Sequence, residues 1–221
     1  MIAVDVWSDI ACPWCYIGKR NLEAGIAAFR ERHPGEDVEV TYHSFELSPD
    51  TPVDFDGSEL DFLVRHKGAS EEQATAMLER VTGIAAAAGL EYRFGDLKHT
   101  NSRKAHELLH HAAVAGRQAD VKEALLRAYF TEGRHLGRED VLADIAAETG
   151  LNRVEALRAL RSGTHAAAVD ADVRQAYALG INAVPFYVLD RRFGLSGAQP
   201  PEIFLEALER TLEARTSPPA A

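Results

Sequence analysis

The spacing of apolar positions changes several times along this chain of 221 residues, and each spacing predicts a different element. Residues 2–7 and 38–45 have the composition and alternation of strands. Between them, residues 16–29 have the spacing of a helix. A Pro- and Asp-rich link at residues 48–57 is followed, up to about residue 180, by patterns that are all helical. The first four-fifths of the chain therefore predicts strand, helix, strand and a run of short helices.

Polar caps and glycines divide the helical region. Ser58 and Ser70 are followed three residues later by Asp61 and Gln73. This is the spacing of an N-terminal capping box, with the Asp in a weaker variant. Glycines stand where helices are expected to end, at positions 68, 89, 116, 133 and 150.

The last fifth of the chain returns to strand signals. Residues 184–189 predict a strand, residues 190–192 a tight turn, and residues 193–195 a short partner strand. Residues 201–213 then predict an amphipathic helix. The whole order is that of an α/β protein with a thioredoxin fold, interrupted after its second strand by a large all-helical insertion.

This order predicts two domains and a tail. A discontinuous thioredoxin-like domain is expected from residues 1–48 and 180–214, and a helical insertion domain from residues 49–179. Residues 215–221 are expected to form a flexible tail.

The chemistry of the chain is concentrated in Cys12-Pro13-Trp14-Cys15, which contains its only two cysteines. A second thiol three residues away can attack a mixed disulfide formed by the first. The motif precedes a predicted helix, whose free N–H groups and dipole favour a thiolate and lower the pKa of Cys12. Pro13 suits the first helical turn, where its missing N–H costs nothing. We expect Cys12 to be exposed and Cys15 to be more buried.

Two other interpretations of the cysteines are weaker. A four-ligand zinc site normally needs a second pair of Cys or His, and the chain has no other cysteine. A purely structural disulfide across so short a loop would remove little entropy from the unfolded chain. Catalytic redox chemistry is therefore the preferred interpretation.

A second candidate zinc motif is His106-Glu107-x-x-His110, which has the H-E-x-x-H spacing of zinc peptidases on a predicted helix. The extended form of the motif fails, because Ala113 and Gly116 occupy its glycine and third-histidine positions. Glu123 or Glu132 would have to supply the third ligand. We therefore predict no metal.

Composition and charge exclude several classes of partner. The formal net charge is −10, the isoelectric point is about 5.4, and the basic residues are scattered among a larger number of acids. No basic stripe suits a phosphate backbone, so nucleic acid is not an expected partner. No apolar run approaches the ~20 residues that span a bilayer, and no secretory leader pattern precedes the first strand. We expect a cytoplasmic protein without a membrane partner.

Five stretches together resemble the DsbA superfamily of thiol-disulfide oxidoreductases, and within it the FrnE-like branch. They occur in the expected order and span residues 8 to 199, nearly the whole chain. In this sequence they are Ser8-Asp9-x-x-Cys12-Pro13-Trp14-Cys15-Tyr16-x-Gly18, Thr100-Asn101-x-x-x-Ala105-His106, Ala128-Tyr129-Phe130-x-Glu132-Gly133, Gly180-Ile181-x-x-Val184-Pro185-Phe186 and Leu195-Ser196-Gly197-Ala198-Gln199.

Single residues near the dithiol have expected roles of their own. The resemblance implies that Pro185 is cis and faces the dithiol, with Val184 offering its backbone to a substrate; otherwise Pro185 is an ordinary proline at a strand start. Pro13 and Trp14 belong to the expected substrate-binding residues, and Trp14 would dock apolar substrate. In the alternative interpretation, Trp14 is only a partly exposed aromatic at the start of a helix. Asp9 is a candidate proton carrier for thiol exchange, or equally a helix cap.

The expected reaction is disulfide exchange with protein or small thiol and disulfide substrates, through a mixed disulfide on Cys12 that Cys15 resolves. Strongly oxidising relatives have Pro-His where this chain has Pro13-Trp14, so we expect a less oxidising dithiol that acts as a reductase or isomerase in the cytosol. The redox disulfide needs no cofactor. Glutathione is a candidate reductant, and an unidentified redox partner would recycle the dithiol.

Two further functions stay open. One is a glutathione-dependent isomerase or transferase of the 2-hydroxychromene-2-carboxylate isomerase or kappa-class type, from the same superfamily. Those relatives typically have serine at the position of Cys12 and charged Asp-Arg after the last strand, where this chain has Gly197-Ala198-Gln199-Pro200. The other is a non-enzymatic protein that holds client proteins, which would leave the dithiol unexplained.

Overall fold

The computed structural model describes residues 1–216 and confirms the predicted order of elements. The strands are β1 (Ile2–Ser8), β2 (Val38–Ser44), β3 (Phe186–Leu189) and β4 (Phe193–Ser196). The helices are α1 (Pro13–Arg32), α2 (Glu59–Lys67), α3 (Glu71–Ala87), α4 (Arg103–Val114), α5 (Gln118–Phe130), α6 (Glu139–Glu148), α7 (Arg153–Ser162), α8 (Ala166–Ala178) and α9 (Pro201–Thr216).

The four strands form one mixed sheet in the order β2-β1-β3-β4. β1 and β2 are parallel, which requires a crossover connection, and α1 supplies it. β3 runs antiparallel to both β1 and β4. The turn between β3 and β4 places Asp190 and Arg191 at positive φ, as a tight hairpin turn requires.

One apolar core fills the space between this sheet and the helices α1 and α9. Val6 of β1 pairs with Tyr42 on one side and with Tyr187 on the other, so these three side chains share a face of the sheet. The α1 and α9 helices approach closely at Gly25, where a Cβ atom would lie 2.6 Å from the Cβ atom of Phe204. The other buried apolar members of this core are Ile2, Val4, Leu22, Ile26, Phe29, Val38, Leu189, Leu205 and Leu208.

The helices α2 to α8 follow β2, and α3 to α7 among them enclose a second, larger core. The capping boxes predicted at Ser58 and Ser70 are both formed. Ile10, Tyr16 and Ile17, from the start of α1 and the loop before it, are buried in this second core. The beginning of α1 therefore lies between the two cores. The domain boundaries expected from the sequence stay a prediction.

The last helix extends two residues into the segment predicted as a tail. α9 continues to Thr216, and Arg215 donates a hydrogen bond to Asp190 over 2.7 Å. The hairpin turn thus holds the last turn of the helix. Residues 217–221 of the predicted tail lie outside the described residues. Within residues 1–216, no helix is long and apolar enough to span a membrane.

Candidate redox site

The dithiol lies where β1 passes into α1. Cys12 is the N-cap residue of α1, with extended backbone angles of φ −91° and ψ 114°, and Pro13 occupies the first helical turn as predicted. The backbone N–H of Cys15 donates to the carbonyl of Cys12 over 3.0 Å. No side chain caps the helix, so Asp9 does not take the capping role that was one of its two interpretations.

The loop before β3 lies against Cys12. The Val184–Pro185 peptide bond is cis, as the resemblance implies, and the sulfur of Cys12 lies 3.6 Å from the carbonyl oxygen of Val184. β3 starts at Phe186, and the Pro185 carbonyl just before it accepts from Gly197 N–H over 2.8 Å, next to the pair that Phe186 forms with Ser196 of β4.

Both cysteines are free thiols and both are buried. Cys12 is 3% exposed and Cys15 is 2% exposed, so the expectation of an exposed Cys12 is wrong. The adjoining chain segments, among them the Val184 loop, cover its sulfur. Only Cys12 of the two lines the large cavity beside the motif, which gives it the shorter path to a substrate.

This cavity has a volume of about 490 Å³ and separates the motif from α2 and α3. Its wall is mainly apolar. Trp14, Leu47 and Met77 line it and remain 40%, 40% and 55% exposed, so they form an apolar rim. Lys67 and Arg80 add two cationic groups to the wall, and Asp9 and Glu59 add two carboxylates. The site can therefore receive an apolar segment that carries a disulfide.

The two thiols titrate as one unit. The hydrogen bond that Cys12 donates to Cys15, together with burial, raises the pKa of Cys12 well above its ordinary value. Burial also raises the pKa of Cys15, but the bond from Cys12 and the charge of Lys122 outweigh burial and leave it lowered. In the reduced pair one proton is held between two sulfurs. The lowered pKa thus belongs to Cys15, and not to Cys12 as the helix terminus alone predicts.

Asp9 is buried and ionised beside the dithiol. One carboxylate oxygen accepts from Leu47 N–H at 2.8 Å, and the other contacts Nε2 of His106 at 3.1 Å and accepts from Ala11 N–H at 3.2 Å. Burial raises the pKa of Asp9, but His106 and the backbone donors outweigh burial and lower it. The negative charge of Asp9 in turn raises the pKa of Cys12. A role of Asp9 in proton transfer stays a prediction.

The sequence also matches a known family model. Residues 3–209 match the DsbA-like thioredoxin domain. The chain belongs to this family. A crystal structure of a probable DsbA oxidoreductase, SCO1869 from Streptomyces coelicolor, is 40% identical, with a TM-score of 0.90 over 100% of this chain and 94% of the other.

Two more distant proteins match over almost the same length. Protein YwbO of Bacillus subtilis is 27% identical over 209 residues, which are 94% of this chain and 96% of YwbO. The cytosolic disulfide reductase DsbM from Pseudomonas aeruginosa, in a structure with GSH, is 24% identical with a TM-score of 0.68, over 96% of this chain and 99% of DsbM. The likeness to DsbM shows the fold alone.

Sequence reasoning missed one residue of this DsbA-like site. Lys122 of α5 is 0% exposed and interacts electrostatically with Cys15, Cys12 and Asp9. A signal was present, because Lys122 stands in an apolar stripe with Leu125, Leu126 and Tyr129, at helical spacing. A lysine in such a stripe is unusual, since lysine is almost never fully buried unless it is paired.

The H-E-x-x-H motif is divided between two networks. His106 contacts Asp9, whereas Nε2 of His110 lies 3.2 Å from the Ser44 hydroxyl and 3.1 Å from Asp172. Glu123, a suggested third ligand, is held by Lys19 and other groups of α1. In the part of the chain that the structure describes, no three His, Cys, Asp or Glu side chains form a metal-ligand group.

Proposed function

We propose that this chain is a thiol-disulfide oxidoreductase that exchanges disulfides with protein or small-molecule substrates through Cys12 and Cys15. The observation that carries the proposal is the position of Cys12, which begins a helix, lies against the Val184 carbonyl and borders the apolar cavity. Cys15 lies behind it, where it can resolve a mixed disulfide. The FrnE-like branch is the group within the family that the motifs support.

The exchange takes place in two displacements. The proton that the pair shares passes to Cys15 as the sulfur of Cys12 attacks one sulfur of a substrate disulfide, the substrate S–S bond breaks, and one half leaves as a thiolate. Cys15 then attacks the sulfur of Cys12, the Cys12–Cys15 bond forms, and the second half leaves as a thiol with the proton of Cys15. Two electrons pass from the dithiol to the substrate. Glutathione or a similar small thiol would return the disulfide to the dithiol.

Substrate binding is assigned to the apolar rim together with Pro13 and the Val184 backbone. The rim favours an unfolded or exposed segment with apolar side chains, since each Å² of apolar surface removed from water makes the free energy of binding more favourable by about 25 cal/mol. The proposed direction is reduction or isomerisation in the cytosol, because the Pro-Trp dipeptide lacks the histidine of strongly oxidising relatives.

The cysteine roles are tested by trapping. Incubation of the Cys15→Ala variant with a disulfide-containing protein such as native insulin is expected to yield a covalent mixed disulfide, which non-reducing gels detect. The Cys12→Ala variant is expected to accumulate none. Trapping by Cys12→Ala alone would reverse the two roles, and no exchange by the wild-type protein would refute the function.

The rim is tested by kinetics. Trp14→Ala is expected to raise KM for insulin reduction by about 3- to 10-fold with little change in kcat, since it removes part of the apolar contact made on binding. The matched control is Tyr177→Ala, on α8, which removes another exposed aromatic that does not line the cavity. Equal effects of the two variants would contradict a substrate role for the rim.

A further inference from the structure

Tyr92 reaches the dithiol motif from the connection between α3 and α4. Its hydroxyl donates a hydrogen bond of 2.6 Å to the carbonyl of Pro13, which lies between the two cysteines of the motif. The side chain is buried, with 7% of its surface exposed. Burial raises the pKa of Tyr92, and negative charge on Cys12 or Cys15 raises it further, so the hydroxyl keeps the proton that it donates.

The neighbours of Tyr92 hold its ring in place. The ring stacks on that of Phe130 at a centroid distance of 4.7 Å, and it packs edge-to-face against Phe94 at 5.6 Å. The backbone beside it is tied to the end of α5, because the Arg93 N–H donates to the carbonyl of Phe130 over 2.7 Å. The hydroxyl therefore approaches Pro13 from a packed and hydrogen-bonded frame.

The Pro13 carbonyl belongs to the turn that becomes a closed ring when the two cysteines form a disulfide. In the dithiol this turn is already folded, since the Cys15 N–H donates to the Cys12 carbonyl over 3.0 Å and the Cys12 thiol donates to the sulfur of Cys15. Because a peptide group is planar, a bond to the Pro13 carbonyl fixes the orientation of the whole Pro13–Trp14 peptide in the middle of the turn. A reaction that closes a ring is faster when the ring atoms are ordered beforehand.

On the basis of the function proposed above, we propose that Tyr92 is a positioning residue for the resolving step. By holding the Pro13 carbonyl, it keeps the turn in the conformation in which the sulfur of Cys15 reaches that of Cys12. In this step Cys15 attacks the sulfur of Cys12, the Cys12–Cys15 bond forms, and the bond between Cys12 and the substrate breaks. The substrate leaves as a thiol with the proton of Cys15, so atoms and charges balance. Tyr92 gives up no proton.

The step can be followed by mixing reduced protein with dithiodipyridine. Attack by Cys12 releases one thiopyridone at a rate that rises with reagent concentration, and resolution by Cys15 releases a second at a rate independent of it. Tyr92→Phe keeps the ring and removes only the hydroxyl. It is expected to leave the rate of the first phase within about twofold and to slow the second by about 3- to 10-fold, the effect of one net hydrogen bond.

Equilibration with glutathione gives a readout that a purely structural role would not move. One protein dithiol and one oxidised glutathione give the protein disulfide and two reduced glutathione molecules. Without the Tyr92 bond, the open turn of the dithiol gains freedom that the closed disulfide ring does not. The equilibrium constant for oxidation of Tyr92→Phe should therefore be about 3- to 10-fold lower than that of wild-type protein. A loss of stability that is equal in both redox forms would leave this constant unchanged and would contradict the assignment.

The matched control is Tyr129→Phe. Tyr129 is 2% exposed, and its hydroxyl has no hydrogen-bond partner among residues 1–216. Its removal is expected to leave both phases and the equilibrium constant unchanged. If Tyr92→Phe behaves like Tyr129→Phe, the assignment is wrong and the exchange function stands. If wild-type protein shows no second phase, the proposed function itself fails.

Two analogues of tyrosine at position 92 keep the test decisive even if Tyr92→Phe does not fold. With p-aminophenylalanine, an N–H donor takes the place of the hydroxyl, and the second phase is expected to stay within about twofold of the wild-type rate. With p-methylphenylalanine, a group of similar size cannot donate, and the second phase is expected to slow by about 3- to 10-fold. Equal second phases with the two analogues would overturn the assignment.

Discussion

Replacing Lys122 by methionine is expected to make the protein more stable. Methionine has a similar length and removes the buried charge without breaking a hydrogen bond, since Nζ has none among the described residues. The loss of its attraction for Asp9 and the two sulfurs offsets part of this gain. Burial lowers the pKa of Lys122 from 10.5 to about 8. A pKa shift of this size means that the charged lysine lowers the free energy of unfolding by at most about 3 kcal/mol.

The effect has a defined pH dependence. Below pH 8 the lysine is charged in both the folded and the unfolded state, so the full penalty applies to the wild-type protein. Between about pH 8 and 10.5 the folded state binds fewer protons than the unfolded state, and wild-type stability gains with rising pH. The advantage of Lys122→Met should therefore be largest at neutral pH and should shrink above pH 8.

Urea denaturation of the reduced proteins at several pH values measures this difference. At pH 7 we expect a gain of up to about 3 kcal/mol, or a rise in Tm of roughly 6–12 °C for a chain of this length. Lys19→Met is the control and is expected to destabilise the protein, because it leaves Glu123 with one buried cation fewer. A Lys122→Met protein that is less stable than wild type at pH 7 would refute the reasoning.

Three other outcomes are expected. Asp172→Asn should lower the free energy of unfolding, measured in urea at pH 7, by about 2–4 kcal/mol. Below about pH 4 the stability of this variant should fall less steeply with pH than that of the wild-type protein. Although burial raises the pKa of Asp172, hydrogen bonds from His110 and His43 hold it well below its ordinary range, so its contribution is lost only as pH falls; an unchanged acid profile would contradict this. Gly18→Ala should destabilise the protein by about 1–3 kcal/mol and slow insulin reduction, because its Cβ would overlap Tyr187 OH. Gly83→Ala, with open space around it, should instead be neutral or stabilising, and similar effects of the two would argue against the overlap. Elemental analysis of protein purified without chelator should find no stoichiometric zinc; about one zinc per chain would contradict this.

Local patterns in the sequence were sufficient for the order of elements and for the position of the dithiol. Ser58 and Ser70 cap their helices as expected, because a capping box is complete within four consecutive residues. Cys12 and Pro13 begin α1 for the same reason, since the end of a strand and the start of a helix are both visible in neighbouring residues. The cis bond before Pro185 was available only from the resemblance of five separated motifs.

The tertiary structure decided what surrounds the dithiol. Cys12 is covered by the Val184 loop, Asp9 pairs with His106, and the charge of Lys122, on a helix far along the chain, acts on the sulfurs. Each of these contacts joins residues that are remote in sequence, so each depends on how the insertion packs against α1. Charge and burial, which set the pKa values of the two thiols, are properties of this packing and have no local signature. The sequence by itself determined where the two thiols stand in the order of elements, and only the fold decided which charges surround them.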